Sequence, residues 1–410
     1  MSKQRAERRL LWLFAGIELT LLLDFMVLMP LAPELTRQLH VSPAEFGGMV
    51  SSYTLASAFA GLTGAWWLHR VERKRALLLL YAGFIAASAG CGLAHTATLF
   101  AACRALAGAF AGLSAALVMA WIADAVPAER RGDAIGFVLT AYAVSGVVGV
   151  PLGLLLAEHA GWQAPFFAVT ALAFLHWLLL CRSPRPAAAA DTAAIPVSTL
   201  ATPLVSARTI LSWLLTASVV GAGFLMIPQL GTFMVANLGV ASGDLAKVYF
   251  GGGIAAFAAS RLVGRCVDRW GAPRVLGVLL LSSSAVHIGF THLEQQSLLL
   301  SIAAFAAFMT FTSARMVPTY AFLAERTPPA LRARFFSVNT AVADLAMGVA
   351  ASIGGALVTR EPDGALRGLG GVSLVATGVS LLALCVLAHV ARGNAQPAST
   401  ASSVAVGDVA

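Results

Sequence analysis

The segment ADAVPAERRGDA at residues 123–134 returns 201 residues later as AERTPPALRARF at residues 324–335. A second pair of related segments, HRVERKR at residues 69–75 and DRWGAPR at residues 268–274, is separated by 199 residues. All four segments contain arginine and lie between long apolar runs, and the two offsets are almost equal. Self-similarity at a fixed spacing indicates a duplicated structural unit. The chain is therefore predicted to consist of two equivalent halves.

The apolar runs on either side of these segments define the class of protein. Hydrophobic residues make up 59% and charged residues 11% of the 410 residues, whereas charged residues form about a quarter of a soluble domain. Apolar runs of roughly 18 residues or more recur along the chain, and each is long enough to cross a bilayer as a helix. Because the runs are continuous rather than alternating, a membrane β-barrel is excluded. The sequence predicts a polytopic helical membrane protein.

We predict an all-α membrane fold of twelve transmembrane helices, called spans 1–12, in two pseudo-symmetric six-helix bundles. The predicted spans are 10–33, 46–68, 76–94, 98–123, 134–157, 165–181, 209–236, 245–264, 275–292, 298–324, 335–357 and 369–391. The predicted domains are an N-terminal bundle at 1–181, a cytoplasmic linker at 182–208, a C-terminal bundle at 209–392 and a disordered cytoplasmic tail at 393–410. The linker is rich in Pro, Ala, Ser and Thr and carries no apolar span, which is typical of a flexible connection.

Basic residues set the predicted orientation. If both termini lie on one side of the membrane, that side holds 20 of the 27 Lys and Arg residues, the other side holds four, and three fall within spans. The positive-inside rule then places both termini in the cytoplasm, with the chain in a bacterial inner membrane. The net charge of +8 is thereby explained without nucleic-acid binding. The five cysteines form no CxxC pair, so neither a disulfide framework nor a metal site is predicted, and no cofactor is expected.

Five charged side chains lie well inside the predicted spans, where an ion costs about 2.5–3.5 kcal/mol on insertion scales. These candidates for proton coupling are Glu18, Asp24, Arg104, Arg315 and Asp344. From the rise per residue of a helix, Asp24 on span 1 and Arg104 on span 4 lie at similar depths below the periplasmic side. Arg315 on span 10 and Asp344 on span 11 lie at similar depths from the cytoplasmic side, where Glu18 could compete for Arg315. Two charged layers are predicted.

Asp24 is the leading candidate for a protonation site. Burial favours the neutral form of a carboxyl group, whereas a nearby guanidinium favours the ionised form. A movement that makes or breaks a contact with Arg104 would therefore change the proton affinity of Asp24 between the two sides of the membrane. The alternative is a static pair that fixes span 1 to span 4, or a contact with substrate. For Asp344, structural pairing with Arg315 is an equal alternative to proton coupling.

The basic segment after span 8 carries a recognisable motif. Gly264, Asp268, Arg269, Gly271 and Arg274 follow the pattern G-x-x-x-D-R-x-G-x-x-R/K. In this motif and in its twelve spans the sequence resembles the major facilitator superfamily of transporters, and the resemblance covers nearly the whole chain. In that family the acid of the motif helps to hold the cytoplasmic side closed, so the resemblance implies a role in conformational gating.

The equivalent segment after span 2 departs from this pattern. It keeps Arg70 and Arg73, but His69 stands where the family has the acid and Glu72 where it has the glycine. The resemblance still makes His69, Arg70 and Arg73 candidates for gating.

Span 5 carries the second family motif. Its sequence SGVVGVPLG contains Gly149, Pro151 and Gly153 and is similar to the Gly-Pro motif of antiporters, in the form found in sugar-, arabinose- and drug-efflux permeases. The acid and proline of span 1 likewise resemble those of proton-driven exporters. The resemblance implies proton-coupled efflux and adds these three residues to the gating candidates.

Seven side chains on helices expected to face a central cavity are candidates for substrate contact. Aromatic and Met side chains suit an amphipathic ligand, and an amide adds a polar contact; lipid-facing or core packing is the alternative for each. They are Phe25, Met29, Tyr53, Tyr142, Phe224, Gln229 and Phe311.

The predicted function is a secondary transporter that exports a small neutral or amphipathic organic molecule, such as a drug, a sugar or a secreted metabolite, in exchange for protons. No Walker A motif is present, which argues against ATP as the driver, and no HExxH or GxSxG motif suggests an enzyme. The alternatives are a proton-coupled or facilitative importer and a non-transporting membrane sensor or scaffold. The expected partners are the substrate, protons and the lipid bilayer, with the chain acting as a monomer.

Overall fold

The computed structural model describes residues 3–67, 71–127, 130–183, 206–295, 297–328 and 331–392. The predicted linker at 182–208 falls mostly outside these residues, as do the tail at 393–410 and the gating candidates His69 and Arg70.

Helices form all twelve predicted spans. In the first half they are Lys3–Val27 with Ala32–Gln38 (span 1), Pro43–Trp67, Arg73–Leu93, Ala97–Ala125, Arg131–Val144 with Val150–Ala160 (span 5) and Ala164–Arg182. In the second half they are Ala207–Phe224 with Ile227–Ala236 (span 7), Leu245–Trp270, Ala272–Thr291, Leu298–Ser313 with Met316–Arg326 (span 10), Arg332–Ala356 and Leu369–Arg392. A two-stranded antiparallel hairpin, β1 (Thr359–Arg360) and β2 (Leu366–Arg367), joins spans 11 and 12.

Spans 1, 5, 7 and 10 are interrupted, and proline accounts for the positions. A proline in a helix removes one hydrogen bond and crowds the carbonyl four residues before it. Span 7 breaks after Phe224, four residues before Pro228, and span 10 breaks after Ser313, five residues before Pro318. In span 5, the residue four positions before Pro151 lies within the π-helical turn Ser145–Gly149. The sequence therefore builds bends into two of the membrane helices that carry charged candidates, span 1 with Glu18 and Asp24 and span 10 with Arg315.

Two spans are less apolar than the rest. Among the described residues, ten helical segments are long and apolar enough to cross a membrane by composition alone. The two that fall short are Pro43–Trp67 and Leu245–Trp270, which are span 2 of the first half and span 8 of the second. Both are rich in Gly or Ser and pack against the opposite half, span 2 on span 11 and span 8 on span 5. Their lower hydropathy fits helices that face protein rather than lipid.

The duplication extends to individual hydrogen bonds. Arg131 Nε donates to the carbonyl of Val126 at 2.9 Å, and Arg332 Nε donates to the carbonyl of Thr327 at 3.1 Å. Each arginine contacts the carbonyl five residues before it, directly after span 4 in one half and after span 10 in the other. These are equivalent positions in the repeat found in the sequence, so the two halves share local contacts as well as helix order.

The two halves meet at one end of the molecule. We call this the far end, because it carries Ala32–Gln38 and the β1–β2 hairpin, and we call the opposite end, which carries Lys3 and Arg392, the terminal end. The core cluster at the far end contains residues of both halves, such as Leu28 and Leu230. The cores nearer the terminal end belong to one half each. The halves are thus joined at the far end and separate towards the terminal end.

Hydrogen bonds and glycines show where this junction stops. Ser51 Oγ donates to the carbonyl of Gly348 at 2.5 Å, and Ser57 Oγ donates to Asp344 Oδ2 at 2.7 Å. Gly47 lies against span 11, and a Cβ atom added at Gly47 would lie 2.5 Å from the carbonyl oxygen of Ala351, which is too close. At Gly61, one turn beyond Ser57 on the same face of span 2, a Cβ would meet nothing within 4 Å. The interface is tight at the far end and open beyond Ser57.

Spans 5 and 8 repeat this arrangement. Gly253 of span 8 packs on the backbone of Gly146 and Val147 of span 5. Towards the terminal end, a Cβ atom added at Gly136 of span 5 or at Gly264 of span 8 would have no neighbouring atom within 4 Å. A cavity therefore lies between the halves, closed at the far end and open at the terminal end.

The far-end junction generates a prediction about conformational balance. Gly47→Val is expected to favour the state with the far end open, because the new side chain would overlap span 11. Overpacking costs about 1–3 kcal/mol, which shifts the ratio of the two states at least about fivefold. The measurement is the distance distribution between spin labels at Gln38→Cys and Asp363→Cys, with the five native cysteines replaced by serine.

The neighbouring glycine supplies a matched control. A Cβ at Gly48 would meet nothing within 4 Å, so Gly48→Val should leave the label distances unchanged. Equal distances in the Gly47→Val and Gly48→Val proteins would contradict a steric seal at the far end.

Candidate functional site

A buried ion pair joins spans 1 and 4. Arg104 Nη1 donates to Asp24 Oδ2 at 2.5 Å and to the carbonyl oxygen of Asp24 at 3.1 Å. Ser88 Oγ of span 3 donates to the other carboxylate oxygen, Oδ1, at 2.6 Å. Both charged side chains are 0% exposed. The structure therefore brings Asp24 and Arg104 into direct contact and adds Ser88, which sequence reasoning missed.

An aromatic ring covers the guanidinium of this pair. The Arg104 guanidinium carbon lies 4.3 Å from the centre of the Tyr53 ring, a cation–π contact. Span 2 approaches closely because Gly108 of span 4 packs directly on the backbone of Tyr53. Nε and Nη2 of Arg104 make no hydrogen bond with the described residues. The guanidinium is thus held by a carboxylate on one side and by an aromatic face on the other.

The second buried arginine lies at the interruption of span 10. Arg315 is 1% exposed, and its Nε donates to the carbonyl of Thr312 at 3.1 Å while Nη1 donates to Ser283 Oγ at 3.2 Å. His287 of span 9 contacts the Thr312 hydroxyl at 2.9 Å through Nε2. The carbonyl of Thr312 belongs to the last turn of Leu298–Ser313, where the helix macrodipole favours positive charge. A helix end and two hydroxyl residues therefore surround this cation.

The pairing of Arg315 with Asp344, which the sequence offered as one of two alternatives, does not form among the described residues. Asp344 instead accepts the hydrogen bond from Ser57 across the interface between the halves, and in the described part of the chain it makes no ion pair with Arg315. Glu18 does not pair with Arg315 either, and its Oε1 has no hydrogen-bond partner among the described residues. Similar depth in the membrane did not bring these groups together, because Arg315 is directed towards Thr312 and Ser283, whereas Asp344 is directed towards Ser57 of the opposite half.

The substrate-contact candidates separate into four groups. Phe25 stacks on Tyr53 at 5.2 Å and on Phe224 of the opposite half at 6.1 Å between ring centres. These three rings form one aromatic cluster between the halves. Tyr142 of span 5 is 56% exposed and lies within electrostatic range of Tyr320 of span 10.

The other three candidates lie away from that cluster. Met29 belongs to the core of the far end, and Gln229 Nε2 donates to the carbonyl of Pro43 there at 3.2 Å. Phe311 packs with spans 8 and 9 around Val275. Met29 and Gln229 therefore contribute to the closed far end, and Phe311 to the core of the second half.

The gating candidates of the first half take part in packing and ion pairing. Arg73 at the start of span 3 forms an ion pair with Asp124 at the end of span 4, at 2.6 Å. Gly149 lies against Leu23 of span 1, and Gly153 lies against Val27. Because Gly149 and Gly153 are small, span 5 packs closely on span 1, and the contact lies within one helical turn of Asp24.

The gating motif of the second half is open in this structure. Gly271 has φ +82° and connects spans 8 and 9 in a conformation that favours glycine. The Arg269 guanidinium lies 5.9 Å from the Trp270 ring. Within the described part of the chain Asp268 and Arg274 make no ion pair, and Gly264 has open space around it. These residues lie at the terminal end, where the halves are apart.

No metal centre emerges from the described residues, among which no group of three or more His, Cys, Asp or Glu side chains comes together. The chemistry available is that of carboxylates, guanidinium groups, hydroxyls and aromatic rings around a cavity between two helical bundles.

This fold and site define a class of protein, a polytopic membrane carrier built from two six-helix halves around a central cavity. The sequence matches the family model of the Major Facilitator Superfamily over residues 14–351. The chain belongs to the Major Facilitator Superfamily, which confirms the resemblance found in the sequence motifs and agrees with a transporter rather than an enzyme.

Two bacterial relatives are similar in sequence. The uncharacterized MFS-type transporter YceJ of Bacillus subtilis is 31% identical over 170 residues, which cover 42% of this chain and 43% of the relative. The chloramphenicol resistance protein of Streptomyces lividans is 32% identical over 265 residues, which cover 61% of this chain and 65% of the relative. The matches span less than two thirds of the length of these relatives.

Solved structures of transporters share the fold. A D-xylose–proton symporter has a TM-score of 0.75 at 16% identity, over 94% of this chain and 97% of that chain. A bacterial homologue of the human lysosomal transporter Spinster, in an inward-facing and unoccupied conformation, has a TM-score of 0.73 at 16% identity, with the same coverage. These similarities confirm the predicted twelve-helix fold.

The buried pair generates a prediction about stability. Arg104→Gln is expected to lower the free energy of unfolding by about 3–5 kcal/mol, because it leaves the Asp24 carboxylate buried without its cation. Asp24→Asn should also destabilise the protein, and the double variant should lose less than the sum of the single losses. The measurement is thermal unfolding of the purified protein in detergent, followed by intrinsic tryptophan fluorescence.

An exposed ion pair provides the control for the same chemical change. Arg37 contacts Glu34 at 2.8 Å on the surface, so Arg37→Gln should change the stability by at most about 1 kcal/mol. Strictly additive losses at residues 24 and 104 would show that the two side chains do not stabilise each other.

Proposed function

We propose that this protein exports a small neutral or amphipathic organic molecule in exchange for protons, by alternating access between its two halves. The observation that carries the proposal is the Asp24–Arg104 pair, wholly buried in the first half and directly behind the aromatic cluster between the halves. A buried charged pair is costly unless every partner is in place, which suits a group that changes protonation during a transport cycle.

A proton on Asp24 would change the contacts of span 1. Neutralising the carboxylate removes its charge-assisted hydrogen bond with Arg104 and leaves the guanidinium with weaker partners. Span 1 also contacts span 5 at Leu23 and span 7 at Phe25. A shift of span 1 would therefore reach both the other helices of its half and the opposite half, which is the movement that alternating access requires.

The open cavity fits one state of such a cycle. With the orientation predicted from the basic residues, the terminal end is cytoplasmic and the structure is an inward-facing state in a bacterial inner membrane. Asp268 and Arg269 of the second half lie at that end, as does the Arg73–Asp124 ion pair of the first half. When the cavity closes, these two groups would approach each other. In this proposal the chain acts as a monomer, because one chain contains both halves and the cavity between them.

Efflux rather than uptake is favoured by two observations. The sequence is similar to the chloramphenicol resistance protein of Streptomyces lividans, and resistance to a drug is a natural consequence of its export. The GVPLG sequence of span 5 begins at the last residue of the π-helical turn Ser145–Gly149. Its glycines, Gly149 and Gly153, pack on Leu23 and Val27 of span 1, so the predicted antiporter motif is a neighbour of the candidate proton site.

Proton exchange in membrane vesicles tests the proposal. Inside-out vesicles are energised to be acidic inside, and a panel of drugs, sugars and amphipathic metabolites is added. Wild-type protein is expected to release protons from the vesicles when a substrate is added. Asp24→Asn should reduce this release to the level of vesicles without the protein, since the amide cannot carry a proton.

The matched control is Glu34→Gln, the same kind of change on the surface of the far end, which should keep the wild-type response. A response of Asp24→Asn equal to that of wild type would remove Asp24 from the coupling path. Substrate accumulation coupled to proton entry in right-side-out vesicles would show that the protein imports its substrate and does not export it.

A further inference from the structure

Two carboxylates from opposite halves lie near Tyr53 and have no cationic partner. Glu18 is on span 1, about one turn before Leu21, whose carbonyl accepts a hydrogen bond from the Tyr53 hydroxyl at 3.3 Å. Asp344 is on span 11 and accepts a hydrogen bond from Ser57, which lies about one turn after Tyr53 on span 2. In the described part of the chain neither forms an ion pair with Lys, Arg or His. Arg315, which the sequence offered as a possible partner of both, is bound instead to the Thr312 carbonyl and the Ser283 hydroxyl.

Glu18 is buried and incompletely bonded. Its residue is 7% exposed, and Oε1 accepts no hydrogen bond from the described residues. Glu18 and Phe25 are seven residues apart, which is two turns of a helix, and so they share one face of span 1. That face carries the aromatic contacts to Tyr53 and Phe224. The carboxylate therefore lies next to the aromatic cluster, on its terminal-end side.

Asp344 approaches the same region from the second half. Its Oδ2 accepts the hydrogen bond from Ser57 at 2.7 Å, at the point where the tight part of the interface ends. Ser57 lies about one turn from Tyr53 on span 2, and Tyr53 belongs to the aromatic cluster that Phe25 and Phe224 complete from both halves. Asp344 therefore lies at the edge of that cluster.

The nearby positive charge does not neutralise these acids. Arg104 lies over the Tyr53 ring, and it is already bound to the carboxylate and the carbonyl of Asp24. A carboxyl group in an interior of low dielectric is costly to keep ionised unless a cation lies beside it, and without one it becomes neutral. A ligand that is both positively charged and apolar would supply the missing cation to the two acids and would contact the aromatic faces.

We propose that Glu18 and Asp344, with the Phe25–Tyr53–Phe224 cluster, form the binding site for an amphipathic organic cation. This inference rests on the proposed function and narrows its substrate class. The positive group lies between the two carboxylates, and the apolar part lies on the aromatic rings. Because one acid comes from each half, the bound cation joins the halves at the inner end of the cavity.

Ligands of one shape and different charge test this site. The probes are tetraphenylphosphonium, its isosteric anion tetraphenylborate, and neutral triphenylphosphine oxide, each measured by equilibrium dialysis against the purified full chain in lipid nanodiscs at pH 7. Binding to empty nanodiscs is subtracted. Wild-type protein is expected to bind the phosphonium cation at least tenfold more tightly than the borate anion.

Variants identify the carboxylates responsible. Glu18→Gln and Asp344→Asn should each weaken phosphonium binding, and the double variant should weaken it at least tenfold. Binding of triphenylphosphine oxide should stay unchanged in the same proteins, which shows that the cavity remains folded. Glu34→Gln, on the surface of the far end, should keep the wild-type affinity for both probes.

Three outcomes would overturn the site. They are an undiminished phosphonium affinity in the double variant, tighter binding of the borate anion than of the phosphonium, and no phosphonium binding by wild type. The dialysis measurement uses neither a proton gradient nor transport. Cation binding without proton exchange in vesicles would therefore reject the proposed function and support the site. Proton exchange driven only by neutral compounds would support the proposed function and reject the site.

Discussion

A peptide group within a bilayer has no water to bind, so each interruption of a membrane helix must be compensated by the protein around it. The two arginines that are fully buried among the described residues both contact such an interruption. Arg104 donates to the carbonyl of Asp24 in the last turn of Lys3–Val27, and Arg315 donates to the carbonyl of Thr312 in the last turn of Leu298–Ser313. The negative end of a helix macrodipole also favours a cation at these positions. The broken helices thus explain why charge is tolerated inside the membrane, and prolines explain where the helices break.

The same breaks lie beside the parts of the molecule that would have to move. The interruption of span 1 follows Asp24 by a few residues and leads into the far-end core, where Met29 and Pro30 contact Gly231 of span 7. Glycines at this junction let backbones touch, and apolar side chains of both halves pack around them. Separate cores within each half at the terminal end allow the halves to turn about the junction without repacking. A stable pair of bundles with a small-residue junction is an arrangement suited to two alternative conformations.

The sequence was sufficient for the fold and for one of the two charged contacts. Apolar length and the repeat predicted the twelve spans, because the bilayer constrains both thickness and backbone bonding. Helical rise placed Asp24 and Arg104 at related depths, and the structure brings them together. The same reasoning failed for Arg315 and Asp344, since depth gives one coordinate of a side chain and not the direction in which it points. The interruption of span 10 turns Arg315 towards Thr312 and Ser283. The hydroxyl partners Ser57 and Ser88 carried no distinguishing signal among the many Ser and Thr residues of the spans.

Tyr53 gives the two kinds of carboxylate a physical connection. One face of its ring contacts the Arg104 guanidinium, which holds Asp24. The same ring stacks on Phe25 in the cluster between the halves, close to Glu18 and Asp344. A ligand that displaces the aromatic cluster must therefore disturb the environment of Arg104, and a change of charge at Asp24 must disturb the ring that the ligand touches. In the proposed function, the proton site and the substrate site both contact Tyr53, and occupation of either site would shift the position of its ring. Coupling between the two sites therefore needs no long pathway.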